Sequence, residues 1–182
     1  MNLLVQALNV YVPARLKRRK LLDLFEATAA ACGTAMPDLG KNSPEECLER
    51  FALYTREEIG KKIRAGEDLQ ELKDTLYRHA YRLGSELRRQ LRLRSPEDVL
   101  SVGRALYRAI GIDFEGNMSG SVRIRTCYFS RYYDAAVCRV MSSLDEGIAA
   151  GLSGGSKLTF SQRITEGNPT CEASLDLSGG AA

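Results

Sequence analysis

Apolar positions along this chain follow two rhythms, and the change falls at Gly111. Before it, hydrophobic residues recur at steps of three and four. The clearest run is Leu69, Leu72, Leu76, Ala80, Leu83, Leu87 and Leu91, a single helical stripe that has to be buried against something. Three more helices are predicted around it. Ala14–Cys32 sets Leu16, Leu21, Leu22 and Phe25 against a Lys/Arg face and closes at Gly33. Ser43-Pro44-Glu45-Glu46 opens a second helix that runs to Arg64, with a capping residue, a first-turn proline and early acids. Ser95-Pro96-Glu97-Asp98 opens another, with Val99, Val102, Leu106 and Ile110 as its buried edge.

Beyond Gly111 the period becomes two. Ile112–Glu115 reads as a short strand, Gly116–Gly120 as a turn and Ser121–Tyr128 as a second strand. A helix fits Tyr133–Ala150, with Gly151–Gly155 as its breaker. Lys157–Thr165 and Thr170–Leu177 are two further strands around the turn Glu166-Gly167-Asn168-Pro169. The expected fold is α+β, with an N-terminal helical part packed on a C-terminal ββαββ antiparallel sheet unit under one covering helix. Residues 1–182 are expected to form one domain, made of a helical part (14–110), the ββαββ unit (111–177) and a frayed tail (178–182).

Composition narrows the partners. With 44% hydrophobic and 27% charged residues in 182, the chain is an ordinary folded one. A net charge of +3 gives no reason to expect nucleic acid. No apolar run nears the ~20 residues that span a bilayer, so no membrane partner is expected either. The opening MNLLVQALNVYV has its basic residues after the apolar stretch and no small-residue cleavage site, so it does not read as a signal peptide. Five unclustered cysteines then point to reduced thiols and a cytoplasmic location. A single histidine, His79, excludes any histidine pair or three-histidine metal site from one chain.

Three cysteines fall in the ββαββ unit, Cys127 at a strand end, Cys138 on the helix and Cys171 on the last strand. Cys138, Ser142 and Asp145 stand at i, i+4 and i+7, on one helix face over ~10.5 Å. Val137, Met141, Leu144 and Ile148 are expected to face the sheet, which leaves the polar stripe at the rim of the core. A thiol, a hydroxyl and a carboxylate so aligned form either the wall of a functional pocket or a stripe of small core-filling groups. Strand parity bears on the choice. Cys171, Ala173, Leu175 and Leu177 share a buried face, but a regular second strand puts Cys127 with Arg123 and Arg125, opposite Val122, Ile124 and Thr126. Either that strand bends before Cys127 or the three cysteines do not converge. A metal on Cys127, Cys138 and Cys171 is disfavoured, because zinc wants four ligands and no Cys-x-x-Cys pair is present. No cofactor is expected. Arg123 and Arg125 could hold a carboxylate through a bidentate fork, or be ordinary exposed strand arginines. The leucine stripe is buried within the chain, or else seats a second copy as a homodimer.

The sequence around these groups resembles a known family. Arg125-Thr-Cys127-Tyr-Phe129, Val137-Cys138, Leu144-Asp145, Phe160-Ser-Gln-Arg163-Ile-Thr165-Glu-Gly167 and Cys171-Glu-Ala-Ser resemble the L-2-amino-thiazoline-4-carboxylate hydrolase-like family over Gly111–Leu177. After Cys171, Glu-Ala-Ser replaces the family's acidic–aromatic continuation. The closing Gly-x-x-x-Cys also resembles the 4-vinyl reductase ligand-binding domains. The first resemblance implies hydrolysis of a small thiazoline carboxylate or related amidine. Cys138, Asp145, Cys127 and Cys171 would be its catalytic positions, and Arg125, Arg123 and Ser142 its substrate-binding ones. Asp145 would act as base or Cys138 as nucleophile, although no histidine is placed to activate that thiol. The second resemblance implies a module that holds a small molecule, or a metal-containing one, without turnover.

Overall fold

The computed structural model of the chain describes Tyr11 and residues 13–177. The rest of the opening apolar segment and the tail expected to fray, 178–182, lie outside the described residues. Helix ends fall where capping chemistry puts them. α1 (Ala14–Cys32) stops at Gly33, whose φ of 70° suits a residue without Cβ. α2 (Pro44–Arg64) opens on a reciprocal capping box, in which the Glu46 amide donates to Ser43 Oγ at 3.2 Å and the Ser43 amide to Glu46 Oε2 at 2.7 Å. α3 spans Gln70–Leu91, and α4 (Pro96–Ala109) is capped by Ser95.

β1 (Ile112–Gly116) and β2 (Ser121–Cys127) form the first hairpin, β3 (Leu158–Gln162) and β4 (Cys171–Leu175) the second. The four make one antiparallel sheet in the order β1-β2-β4-β3, so β2 and β4 join the hairpins at its centre. This is the α+β arrangement that the change of period predicts. Both strands expected beyond Gly155 are shorter than their apolar alternation suggests. A 3-10 turn over Ile164–Glu166 takes up the end of the first.

α5 (Ala135–Ser153) connects the hairpins. It begins later than expected, because Asp134 caps it by accepting the Val137 amide at 2.8 Å. It also runs through Gly151 and ends only at Gly154, in the left-handed conformation at φ 86°. Gly151 is therefore a contact residue, not a breaker. It lies against Gly84 of α3, where a Cβ on Gly84 would stand 2.7 Å from the Ile148 carbonyl oxygen. Gly147 likewise leaves room for the Tyr77 backbone. The leucine stripe of α3 meets α5 here, with Leu72, Leu76 and Ala80 buried inside the chain. The centre of the stripe is thus buried within the chain, while Leu69, Leu83, Leu87 and Leu91 stay partly exposed.

Two cores result. One lies among α1, α2, α3 and α5, around Phe25, Phe51, Ile59 and Leu76. Each such side chain contributes roughly 1.5–3 kcal/mol by leaving water. The other lies under the sheet, around Phe114, Val122, Ile124, Leu158 and Leu175. Leu100 and Tyr107 of α4 belong to this second core, so two helices, not one, cover the sheet. Its outer face carries Arg123, Arg125, Ser174 and other exposed residues.

Candidate functional site

α5 turns to the sheet the opposite side from the one its hydrophobicity suggests. Val137, Val140, Met141 and Leu144 pack into the helical core, with Ile148 beside them. The apolar edge expected on the sheet is therefore on the helices. The reason is the backbone contact at Gly147 and Gly151, which fixes the helix roll and points Ser142, Asp145 and Ala149 at the sheet. Ala149 packs with the sheet cluster. The Asp145 carboxylate accepts a hydrogen bond from Tyr107 of α4 at 2.7 Å. Arg163, just past β3, donates through Nε to Ser142 Oγ at 3.3 Å.

Two bulges aim the remaining groups. Between Phe114↔Ile124 and Ile112↔Cys127, β1 advances two residues while β2 advances three. The extra residue flips parity, so Cys127 pairs with the buried Ile112 and leaves the face of Arg123 and Arg125. The strand thus bends before Cys127. At the other edge, β3 advances two residues between Phe160 and Gln162 against one on β4. The same flip carries Arg163 inward, where its guanidinium lies 4.9 Å from the Phe160 ring centroid. Without that bulge, alternation from Leu158 would put Arg163 on the solvent face.

The result is one polar cluster between layers. All three thiols lie within electrostatic reach of Asp145, and so does the Tyr133 hydroxyl. Cys171 Sγ accepts the Ile164 amide at 3.3 Å. The buried Thr165 hydroxyl lies against the Cys138 thiol. Phe129 and Tyr133 stack at 5.4 Å beside it, and the Tyr133 hydroxyl meets Thr55 at 2.6 Å. Despite lying between two layers, Cys127, Cys138, Asp145, Ala149 and Phe160 all keep partial exposure. Solvent therefore reaches these groups even though they lie between layers.

The cluster's electrostatics are those of a site short of water. Burial pushes the Asp145 carboxyl up to about 6, opposed by the Tyr107 hydrogen bond and by Arg163. Burial also raises the thiols, Cys127 to about 12 and Cys138 and Cys171 in the same direction. At neutral pH all three are neutral, so none is a ready nucleophile. Among the described residues no group of three or more His, Cys, Asp or Glu side chains is arranged to hold a metal ion.

Set against the expected site, Cys127, Cys138, Ser142, Asp145 and Cys171 come together. Arg123 and Arg125 do not. They stay on the outer face, where Arg123 pairs with Glu172 at 2.8 Å and Arg125 with Glu115 at 3.0 Å, so neither reaches the groups between the layers. Ser142 is buried and engaged by Arg163 and by the Cys138 carbonyl. Tyr107, Arg163 and Thr165 were not singled out by the sequence. Arg163 and Thr165 do stand inside the family-like run, but only the bulge turns Arg163 inward.

No helix among the described residues is long and apolar enough to cross a membrane. Compared with family models, with curated proteins and with solved structures, the chain gives no match in any of the three.

Proposed function

We propose that a hollow lies between α5 and the sheet and that this protein binds a small organic molecule there, as a non-catalytic module of the 4-vinyl reductase domain type. The observation that carries this reading is the polar stripe of α5, turned onto an apolar sheet face with Cys138 and Asp145 still partly exposed. An Asp145 carboxylate placed between layers is costly unless it is partnered, and Tyr107 is its one hydrogen-bond donor among the described residues. A ligand that donates to the second carboxylate oxygen recovers that cost. Neutral thiols and aromatic rings make walls suited to an organic body and ill suited to thiolate attack. The neutral fluorophore N-phenyl-1-naphthylamine tests the hollow. Its emission is expected to rise saturably with the protein and to stay flat with Ala149→Trp, whose indole fills the space. Equal binding by that variant, with its fold intact, would sink the reading.

A second reading keeps the hydrolase resemblance but shifts the chemistry from sulfur to carboxylate. An Asp145 carboxyl near 6 is ionised at neutral pH and remains basic enough to take a proton from an attacking water. In that case 2-amino-thiazoline-4-carboxylate is opened by the intact protein, and Asp145→Asn lowers turnover by about a hundredfold or more. Absence of ring opening by the intact protein removes this reading and leaves the first untouched.

A further inference from the structure

Arg163 is a largely buried cation with too few partners. Only 15% of its side chain is exposed. A guanidinium has five N–H donors, and among the described residues Arg163 makes one hydrogen bond, the 3.3 Å contact from Nε to a neutral hydroxyl. Nη1 stands 3.8 Å from Glu166 Oε1, beyond hydrogen-bonding range, and that oxygen already accepts from Arg139 Nε at 2.8 Å. The Phe160 face supports the cation without accepting an N–H in its plane. Asp145 and Glu146 lie within electrostatic reach, and neither makes a hydrogen bond to it. Buried charges are ordinarily paired and fully hydrogen-bonded, because they give up their hydration. None of its nitrogens is among the buried unpartnered atoms of the described residues, so its free N–H groups remain accessible to a ligand.

We infer that Arg163 is the anion-recognising residue of the hollow, and that the ligand carries a small oxyanion, carboxylate or phosphate, seated on the guanidinium fork above Phe160. This inference rests on the proposed ligand site and adds a charge requirement to it. The fork matches two coplanar oxygens 2.7–2.9 Å from the nitrogens. The β3 bulge has a purpose in this view, since it takes an arginine from the solvent face and presents it beside Asp145. Asp145, Glu146 and Glu166 set a limit. Ionised, they oppose an added anion, so binding strengthens as Asp145 is protonated, and by linkage an anion on Arg163 raises the Asp145 titration.

Benzoate and inorganic phosphate are the probes, followed through the guanidinium Nε–Hε resonances of isotopically labelled protein. The Arg163 signal is identified by its loss in Arg163→Lys. The expected result is a saturable shift of that signal with one or both anions. Benzoate alone marks a carboxylate ligand and phosphate alone a phosphorylated one. Affinity should fall at least about tenfold in Arg163→Met and less in the charge-preserving Arg163→Lys. Melting curves establish that each variant is folded, and Arg163→Lys keeps the test alive if Arg163→Met is not. Naphthylamine bound without any anion response at Arg163 overturns this inference and leaves the hollow standing. Failure of the neutral probe and of both anions overturns the two together.

Discussion

Along one side α5 comes into backbone contact with α3, and along the other it stands off the sheet behind a row of polar side chains. The first side is built from glycine, Gly147 and Gly151, and from apolar residues whose burial holds the helices together. The second carries Cys138, Ser142 and Asp145, spaced by hydrogen bonds to Tyr107 and Arg163, and it is not closed. One helix thus presents a packing surface and a site surface about half a turn apart. The difference shows how rigidity on one side permits looseness on the other. Close contact with α3 fixes the roll and height of α5, so the opposite side need not collapse onto the sheet. The groups there can keep unusual ionisation because the fold is stabilised elsewhere.

The sharpest way to break this contrast is to thicken the packed side. Gly147→Leu or Gly151→Leu pushes a side chain into the α3 backbone, which cannot yield as a flexible side chain would. The expected loss is about 3 kcal/mol or more in denaturant unfolding, with loss of naphthylamine binding as α5 is displaced. A near-neutral result would mean that the crossing does not set the position of α5.

Next comes the site side. Asp145 has a folded-state value of about 6 against an ordinary 3.8. Because the folded value is the higher, its contribution to stability is full below 3.8 and is lost as pH rises through 6. Asp145→Asn removes that dependence. Relative to the parent, the variant should gain about 1–3 kcal/mol between pH 4 and pH 8, partial exposure keeping the figure below the full shift. Unchanged pH dependence of unfolding would place the carboxyl in water. The smallest effect belongs to the outer sheet face. Arg123→Ala breaks an exposed, solvent-screened pair with Glu172 and should leave both the unfolding midpoint and probe binding close to the parent's.

Much of the architecture was legible without coordinates. Ser43-Pro44-x-Glu46 and Ser95-Pro96 mark helix starts because capping is a local hydrogen-bond problem, solved within four residues. The leucine stripe marks a buried helix face for the same reason of short range. The site was only partly legible. Cys138, Ser142 and Asp145 share a face whatever surrounds the helix, so their alignment could be read off the spacing. Which way that face points could not be read. The apolar edge of α5 looks like the natural partner of a sheet, and only the glycine contact with α3 reverses the choice. Arg123 and Arg125 were drawn into the site by the family resemblance, although alternation already set them opposite Val122 and Ile124.

Local interactions therefore determined the helices, the strands and the grouping of one thiol, one hydroxyl and one carboxylate on α5, because dihedral preference, capping and periodicity act within a few residues. Tertiary structure decided which groups meet. A single extra residue in β2 and another in β3 reverse the direction of every side chain beyond them, turning Cys127 and Arg163 inward. Such a slip depends on how the partner strands pair and leaves no mark in the bulged strand's own period, so it could be known only from the assembled sheet.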